Sequence, residues 1–333
     1  MTKIIAELCQ NHNGDKKLMS DMVAAAAEAG VDYVKIQSMQ SKDLTKRSRF
    51  ERGLIESDIT KVIKRPFKTE YSRLRKLDLS LENQNYFIEL CLKYKVKPMT
   101  TVFSLNRIKE LDKLNFNTFK VSSFDCSSYK LIEQLAKTKK NLIISTGGTY
   151  LREIKETAEI LKKLKKKFTF LHCISIYPTP LKEANLDRIE LLKKFTKTVG
   201  ISDHSSPEKN GNDLSLAAIL YGAKIIERHF TILKKDKTRD GVVSVNFDQL
   251  KSLVSQSKEN ITNIKKRFNK KKNILRIMHG NKFRELSETE LLNRDYYKGR
   301  FAMKDDKGKI IYNWKHEKKN IYNYYIKKQL FKI

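Results

Sequence analysis

The chain has 333 residues, 40% of them hydrophobic, and a formal net charge of +31. That length suits one large barrel with a small appendage, or two medium domains, and it can bury a full core. No apolar run approaches the roughly 20 residues that a membrane span needs, so a soluble protein with no membrane partner is expected.

The opening MTKIIAELC enters a strand pattern at once, which predicts no signal peptide. Strand one is residues 4–9, followed by the polar loop QNHNGD and a helix to Ala29. Strand two covers 33–38. A charged insertion, 39–80, precedes a helix over 82–94; it reads as a lid or a solvated loop, and its density of charge favours the loop. Strand three is 98–103 and strand four 118–123, with a helix carrying Ile108 and Leu111 between them. Strand five is 142–146, strand six 168–173, strand seven 199–202 and strand eight 223–226. One final helix is predicted over 247–268. Eight strands alternating with helices is the pattern of a closed (β/α)8 TIM barrel, whose chemistry lies at the C-terminal edge of its strands. An open doubly wound sheet explains neither the even spacing nor the absence of GxGxxG after strand one.

Cys9, Cys91, Cys126 and Cys173 form no CxxC pair, which suits reduced thiols in a cytoplasm. The charge raises nucleic acid as a partner. The lysines, however, spread along outward helix faces such as Lys162, Lys163 and Lys165, and no zinc finger or RNP motif accompanies them. A solvated basic surface that steers anionic substrates is the better reading, with no specific nucleic-acid partner.

The stretch from Gly200 to Asp240 organises the rest. Strands seven and eight each run into a histidine, Ser202-Asp203-His204 and Glu227-Arg228-His229, with a helix between them. A βαβ crossover puts both strand ends on one edge, so His204 and His229 should face each other. Imidazole is a common ligand for divalent metals, and Asp203 and Glu227 stand beside the rings to orient them or complete a coordination shell. Either histidine alone would read as a polar residue capping a strand; two at equivalent ends favour a metal site. The other strand ends offer Glu7, Lys35, Gln37, Thr100, Thr101, Ser104, Lys120, Ser122, Ser123, Asp125, Ser145, Thr146, His172, Ser175 and Tyr177. Two lysines among a ring of hydroxyls suit a phosphate. Lys120 could instead form a Schiff base, but a metal that polarises a carbonyl makes covalent activation redundant.

The motifs AELCQNHNGD, VKIQS, TTVFS, FKVSSFDC, LIISTGG, LHCISIYPTP, GISDHS and IERHFT stand in this order. Together they resemble the N-acetylneuraminate (sialic acid) synthase family over about residues 4–253. The resemblance implies condensation of phosphoenolpyruvate with the open-chain aldehyde of an N-acylated sugar, N-acetylmannosamine or a bacterial analogue, giving a nonulosonic acid and phosphate. It implies a divalent ion, manganese with magnesium or cobalt as alternatives, held by His204 and His229. Lys35, Thr101, Lys120, Ser123, Ser145, Ser175 and Ser202 would hold phosphoenolpyruvate. Asn11, His12, Asn13 and Gln37 would form a substrate loop. Asp125, Tyr177, Asp203, Glu227 and Asp240 would be catalytic, with Tyr177 and Asp240 on the sugar side.

Three departures from the family pattern stand out. Asn13 takes the place of a glutamate found in some members, and Ser175 that of an asparagine. Residues 281–333, after a barrel domain over 1–270, resemble a truncated antifreeze-like β-clip domain without its Arg-Pro pair. The expected assembly is a homodimer, with the aromatic tail around Ile321, Tyr322, Tyr324, Tyr325 and Ile326 on the partner. The competing reading is a non-catalytic barrel that binds a sugar phosphate or a partner as a regulator. Retention of both histidines, both lysines and Asp240 counts against it.

Overall fold

Alternation along the strands decides the architecture. In the computed structural model, which describes residues 1–314, eight parallel strands close into a barrel in the order β1-β10-β9-β8-β7-β6-β5-β2. These are β1 (Lys3–Cys9), β2 (Tyr33–Ser38), β5 (Lys97–Val102), β6 (Thr118–Val121), β7 (Asn141–Ser145), β8 (Phe168–Cys173), β9 (Thr198–Asp203) and β10 (Ile225–His229). The short strands β3 (Leu54–Glu56) and β4 (Ile59–Val62) form a hairpin within the insertion, and β11 (Met303–Lys304) pairs antiparallel with β12 (Ile310–Ile311).

Because side chains change face at every residue of a strand, each strand supplies two layers. Ile5, Tyr33, Met99, Ile143, Leu171 and Ile225 point inward and close the barrel floor. Their neighbours, such as Ile4, Val34, Phe119, Ile144, Phe170 and Ile226, point outward into the larger core beneath the helices. Each such side chain, fully buried, contributes roughly 1.5–3 kcal/mol. At Gly200 the floor is so tight that a Cβ would stand 2.2 Å from the Ile225 carbonyl oxygen and 2.7 Å from Leu171 Cδ2. Only glycine lets β9 lie against β10 there.

Several predicted boundaries move. The predicted final helix is two, Phe247–Ser257 and Ile261–Arg267, because Asn260 caps the second by accepting from the Thr262 N–H. Strand β6 stops at Val121, and residues Ser123–Asp125 turn away in a 3-10 helix. The insertion, read as a solvated loop, has defined structure: the helix Arg49–Arg52, the hairpin, and the helix Phe67–Arg75. Its charges concealed an apolar set, Leu44, Phe50, Val62, Leu74 and Leu77, all buried.

What the insertion buries itself against is the C-terminal segment of the same chain. The helix Glu288–Tyr297 starts at Ser287, whose side chain and Glu290 form a capping box. Its far end is held by Arg47, which donates to the carbonyls of Tyr296 (2.6 Å), Lys298 (3.2 Å) and Asp295 (3.4 Å). A guanidinium there satisfies terminal carbonyls and complements the negative end of the helix. Phe50 meets Tyr296 edge to face at 5.2 Å, and backbone bonds join Thr45 to Arg300 and Ala302 to Asp43. The helix also reaches the barrel mouth, since Asn293 donates to the Ser175 carbonyl at 2.9 Å and Arg294 to that of Gly148 at 2.7 Å. Insertion and C-terminal segment thus form one roof over one side of the mouth. The expected dimer contact through Ile321, Tyr322, Tyr324, Tyr325 and Ile326 lies outside the described residues, among which no helix is long and apolar enough to cross a membrane.

Candidate active site

Above the apolar floor, the next inward residue of most strands is polar, β8 with Cys173 being the exception, and strand register brings these residues to one height. Glu7 pairs with Lys35, and Thr101 with Lys120. Lys35 Nζ contacts Glu7 closely, lies 3.0 Å from Glu227 Oε2 and donates to Thr101 Oγ1 at 3.3 Å. Lys120 Nζ donates to Ser145 Oγ at 2.6 Å and lies 3.5 Å from Glu227 Oε1, which also accepts from Ser202 Oγ at 2.8 Å. Both lysines and both carboxylates are buried, so each charge depends on the others.

Burial alone would raise the Glu227 carboxyl, but Lys120 and Lys35 outweigh it and hold it well below the usual carboxylate range. Burial likewise works against the Lys35 ammonium, and Glu227 and Glu7 overcome it, leaving Lys35 raised. At Lys120 burial prevails over the attraction of Glu227, and Lys35 adds a smaller repulsion, so this ammonium is lowered. With its carboxylate contact at 3.5 Å, Lys120 is the less tightly paired of the two lysines.

One step further towards the mouth stand Cys9, His204 and His229. The Cys9 thiol donates to Asp240 Oδ2 at 2.8 Å, and His229 Nδ1 lies 3.9 Å from the same oxygen. One donor atom from each of Cys9, His229 and Asp240 falls within 4.8 Å of the others. His229 Nδ1 is buried without a hydrogen-bond partner, an uncommon condition for a polar atom and one that a cation would relieve. Thiolate, imidazole and carboxylate make a suitable donor set for a transition-metal ion, so these residues fit a divalent metal. His204 stands outside that group. Its ring is 5.1 Å from the His229 ring and 4.2 Å from that of Tyr177, while Nδ1 faces the Ile174 carbonyl oxygen at 3.3 Å. Burial and then the neighbouring His229 push His204 well below the usual imidazole range. It is neutral.

The NeuB family pattern matches residues 22–270. The chain belongs to the NeuB family. It is 32% identical over 266 residues to the N,N'-diacetyllegionaminic acid synthase of Campylobacter jejuni, covering 78% of this chain and 76% of that one. It is 30% identical over 261 residues to the pseudaminic acid synthase of Helicobacter pylori, covering 78% and 74%. Among solved structures, the N-acetylneuraminic acid synthetase of Leptospira borgpetersenii superposes with a TM-score of 0.66 at 26% identity, covering 89% of this chain and 90% of that one.

Within this NeuB barrel, the expected site residues separate into those at the mouth and those used elsewhere. Lys35, Thr101, Lys120, Ser145, Ser202 and Glu227 form the charged tier just described. Ser123 Oγ accepts from the Gly147 N–H at 3.2 Å. Ser175 is buried with its hydroxyl unpartnered, and its N–H goes to Glu290 at 3.2 Å. Gln37 donates to Cys9 Sγ at 3.0 Å, and Tyr177 is 46% exposed.

Asp203 is not beside a histidine ring. Next to inward Ser202 it faces outward, pairs with buried Arg228 and accepts from Ser215 Oγ at 2.6 Å. Glu227 pairs with lysines and orients neither ring. Asp125, displaced by the early end of β6, accepts from Ser122 (2.9 Å), Ser128 (2.8 Å) and Asn313 (3.1 Å), which ties the C-terminal segment to the barrel. His172 also points outward, against the Ala184 carbonyl at 2.6 Å.

The expected substrate loop acts as a brace. Asn11 donates to the Phe230 carbonyl and to Ser244 Oγ, each at 2.9 Å, and accepts from Thr238, so it fixes the loop that carries Asp240. His12 accepts from the Gly14 N–H at 3.1 Å, and burial lowers it to about 4. Asn13 reaches the Lys237 carbonyl at 3.1 Å. At Gly14, with φ +79°, a Cβ would stand 1.9 Å from the Lys76 carbonyl oxygen, so glycine is what lets this loop touch the insertion. Cys9 joins the candidate donors by geometry and is not among the residues expected from the sequence. Its parity with Glu7, two residues earlier on an inward face, was the available signal.

Proposed function

We propose that this barrel condenses phosphoenolpyruvate with the open-chain aldehyde of an N-acylated amino sugar, forming a nonulosonic acid and inorganic phosphate. The observation that carries the reading is the stacking of two tiers: a buried Lys35/Lys120/Glu227/Glu7 quartet beneath a Cys9/His229/Asp240 donor set. The names of the Campylobacter and Helicobacter relatives support it.

In this reading the lower tier binds the enol phosphate. Lys120, with its weaker ion pairing, turns to the anion, and Lys35 stays between its carboxylates as a fixed positive charge. The hydroxyls of Ser123, Ser145, Ser175 and Thr101 supply directed donors. Cys9, His229 and Asp240 would hold a divalent cation, manganese the expected one, which would supply Lewis acidity to the aldehyde oxygen. The enol carbon forms a bond to the aldehyde carbon as the C=O π bond opens, and the alkoxide takes the proton that water releases on adding at the former enol phosphate carbon. The bond from that carbon to the phosphate oxygen then breaks, and the added hydroxyl gives up its proton to the departing phosphate and becomes the ketone oxygen. Buried ammonium groups that face the departing phosphate stabilise its charge without reorganising. Neutral His204, packed on Tyr177, walls the acceptor side. We further propose that the chain works as a homodimer, which sedimentation tests.

The deciding experiment is phosphate release from phosphoenolpyruvate with manganese, across N-acetylmannosamine, its 6-phosphate and a 2,4-diacetamido hexose. Release that depends on one of these sugars is expected. Its absence with all three would leave the regulator reading in its place.

A further inference from the structure

One guanidinium reaches the loop that follows the metal-donor thiol, and the chemistry above leaves it unused. Arg73, on the insertion helix Phe67–Arg75, donates from Nη1 to Gln10 Oε1 at 2.5 Å, and Gln10 directly follows Cys9. From the other side Glu70 takes Nε at 3.1 Å and Nη2 at 2.9 Å. Arg300, from the C-terminal segment, grips the same carboxylate. Three segments distant in sequence therefore fix one arginine plane, and only the Nη1 edge is directed at the β1 loop. Such preorganisation is what a recognition group needs.

Height and company argue for the acceptor. Gln10 follows the last residue of β1, on the mouth side of Glu7, which is level with Lys35. An acceptor whose aldehyde sits at the donor set would extend its chain in that direction. Tyr297 stacks on Phe124 at 5.2 Å, and the Arg300 guanidinium lies 5.4 Å from the Tyr297 ring. Phe124 belongs to the turn after β6 and Tyr297 to the helix Glu288–Tyr297 of the roof.

Resting on the proposed condensation, we infer that Arg73 is the specificity residue for the end of the acceptor remote from its aldehyde. It selects an uncharged oxygen there, an acyl carbonyl or a hydroxyl, over a phosphate. The two-toothed edge of the guanidinium, which matches phosphate, is occupied by Glu70, and that carboxylate would repel a second anion. The remaining edge donates to the neutral amide oxygen of Gln10, whose place a single uncharged oxygen of the acceptor would take.

The test uses the intact protein with manganese and phosphoenolpyruvate, and compares N-acetylmannosamine and a 2,4-diacetamido hexose with N-acetylmannosamine 6-phosphate. Arg73→Gln is expected to raise KM for the preferred neutral sugar tenfold or more while KM for phosphoenolpyruvate stays within twofold. Glu70→Gln, which frees the charged edge, is expected to shift kcat/KM towards the 6-phosphate by tenfold relative to the neutral sugars. Should Arg73→Gln not fold, Arg73→Lys, which keeps an ion pair with Glu70 but cannot hold both contacts, carries the same test. Turnover with an unchanged neutral-sugar KM in the Arg73 variant, or a preference of the unaltered protein for the 6-phosphate, overturns the inference alone. No sugar-dependent phosphate release from the unaltered protein overturns the condensation, and the inference with it.

Discussion

Lys35 and Lys120 hold opposite oxygens of one carboxylate: their ammonium groups lie 3.0 Å from Oε2 and 3.5 Å from Oε1 of Glu227. Removing that charge leaves buried cations with too few partners. Glu227→Gln should lower unfolding stability by about 3–5 kcal/mol, as read from urea denaturation. Phosphoenolpyruvate should restore part of the loss, so its thermal shift should be larger in Glu227→Gln than in the unaltered protein. An equal or smaller shift would show that the ligand does not enter between the lysines.

The donor set separates His229 from His204. Cys9→Ser, Asp240→Asn and His229→Ala should each weaken manganese binding at least tenfold in titration calorimetry, whereas His204→Ala should leave it within threefold and reduce turnover. With cobalt in place of manganese, a thiolate-to-metal absorption band should appear and be lost in Cys9→Ser. A band that survives that change would remove Cys9 from the set.

Glu70 provides a pH test of the roof. Burial would raise its carboxyl, but Arg73 and Arg300 lower it to about 2. A carboxyl depressed by folding stabilises the native state above its ordinary value, near 4.3, and that contribution is lost as pH falls through the folded value. The destabilisation caused by Glu70→Gln should therefore be constant from pH 7 to about 5 and shrink between about 4.5 and 2. Denaturant midpoints of both proteins across that range check it; a difference that grows on acidification would contradict the ion-pair account.

Asp125 should behave as a brace. Asp125→Ala orphans the donors of Ser122, Ser128 and Asn313, and an unsatisfied buried polar group costs about 1–3 kcal/mol. Lower stability with a phosphoenolpyruvate KM within twofold is expected. A hundredfold fall in kcat at unchanged stability would return it to the catalytic set.

The barrel was legible because its signals are local. Apolar strands of period two recur between helical segments, and parity alone sends Lys35, Lys120 and Glu227 inward. The same parity sends Asp203 outward, where Arg228 waits, and adjacency to His204 in sequence says nothing about which face it takes. Asp125 needed the end of β6 to one residue, and strand ends are where pattern is weakest. The insertion was illegible for a different reason. Arg47, Glu70 and Arg73 look like solvent-facing charge until their partners, more than 200 residues away for Arg47, are known.

The roof also imposes an order on the chain's own synthesis. Most barrel strands meet neighbours that have just emerged, and closure of β1 on β10 needs nothing beyond His229, whereas Arg47 must wait for the Tyr296 carbonyl and Glu70 for Arg300, contacts separated by 249 and 230 residues. Contacts so distant in sequence form late. On the ribosome, the charged tier can therefore assemble once β10 has emerged, while the roof closes over the mouth only with the helix Glu288–Tyr297 and the residues that follow it.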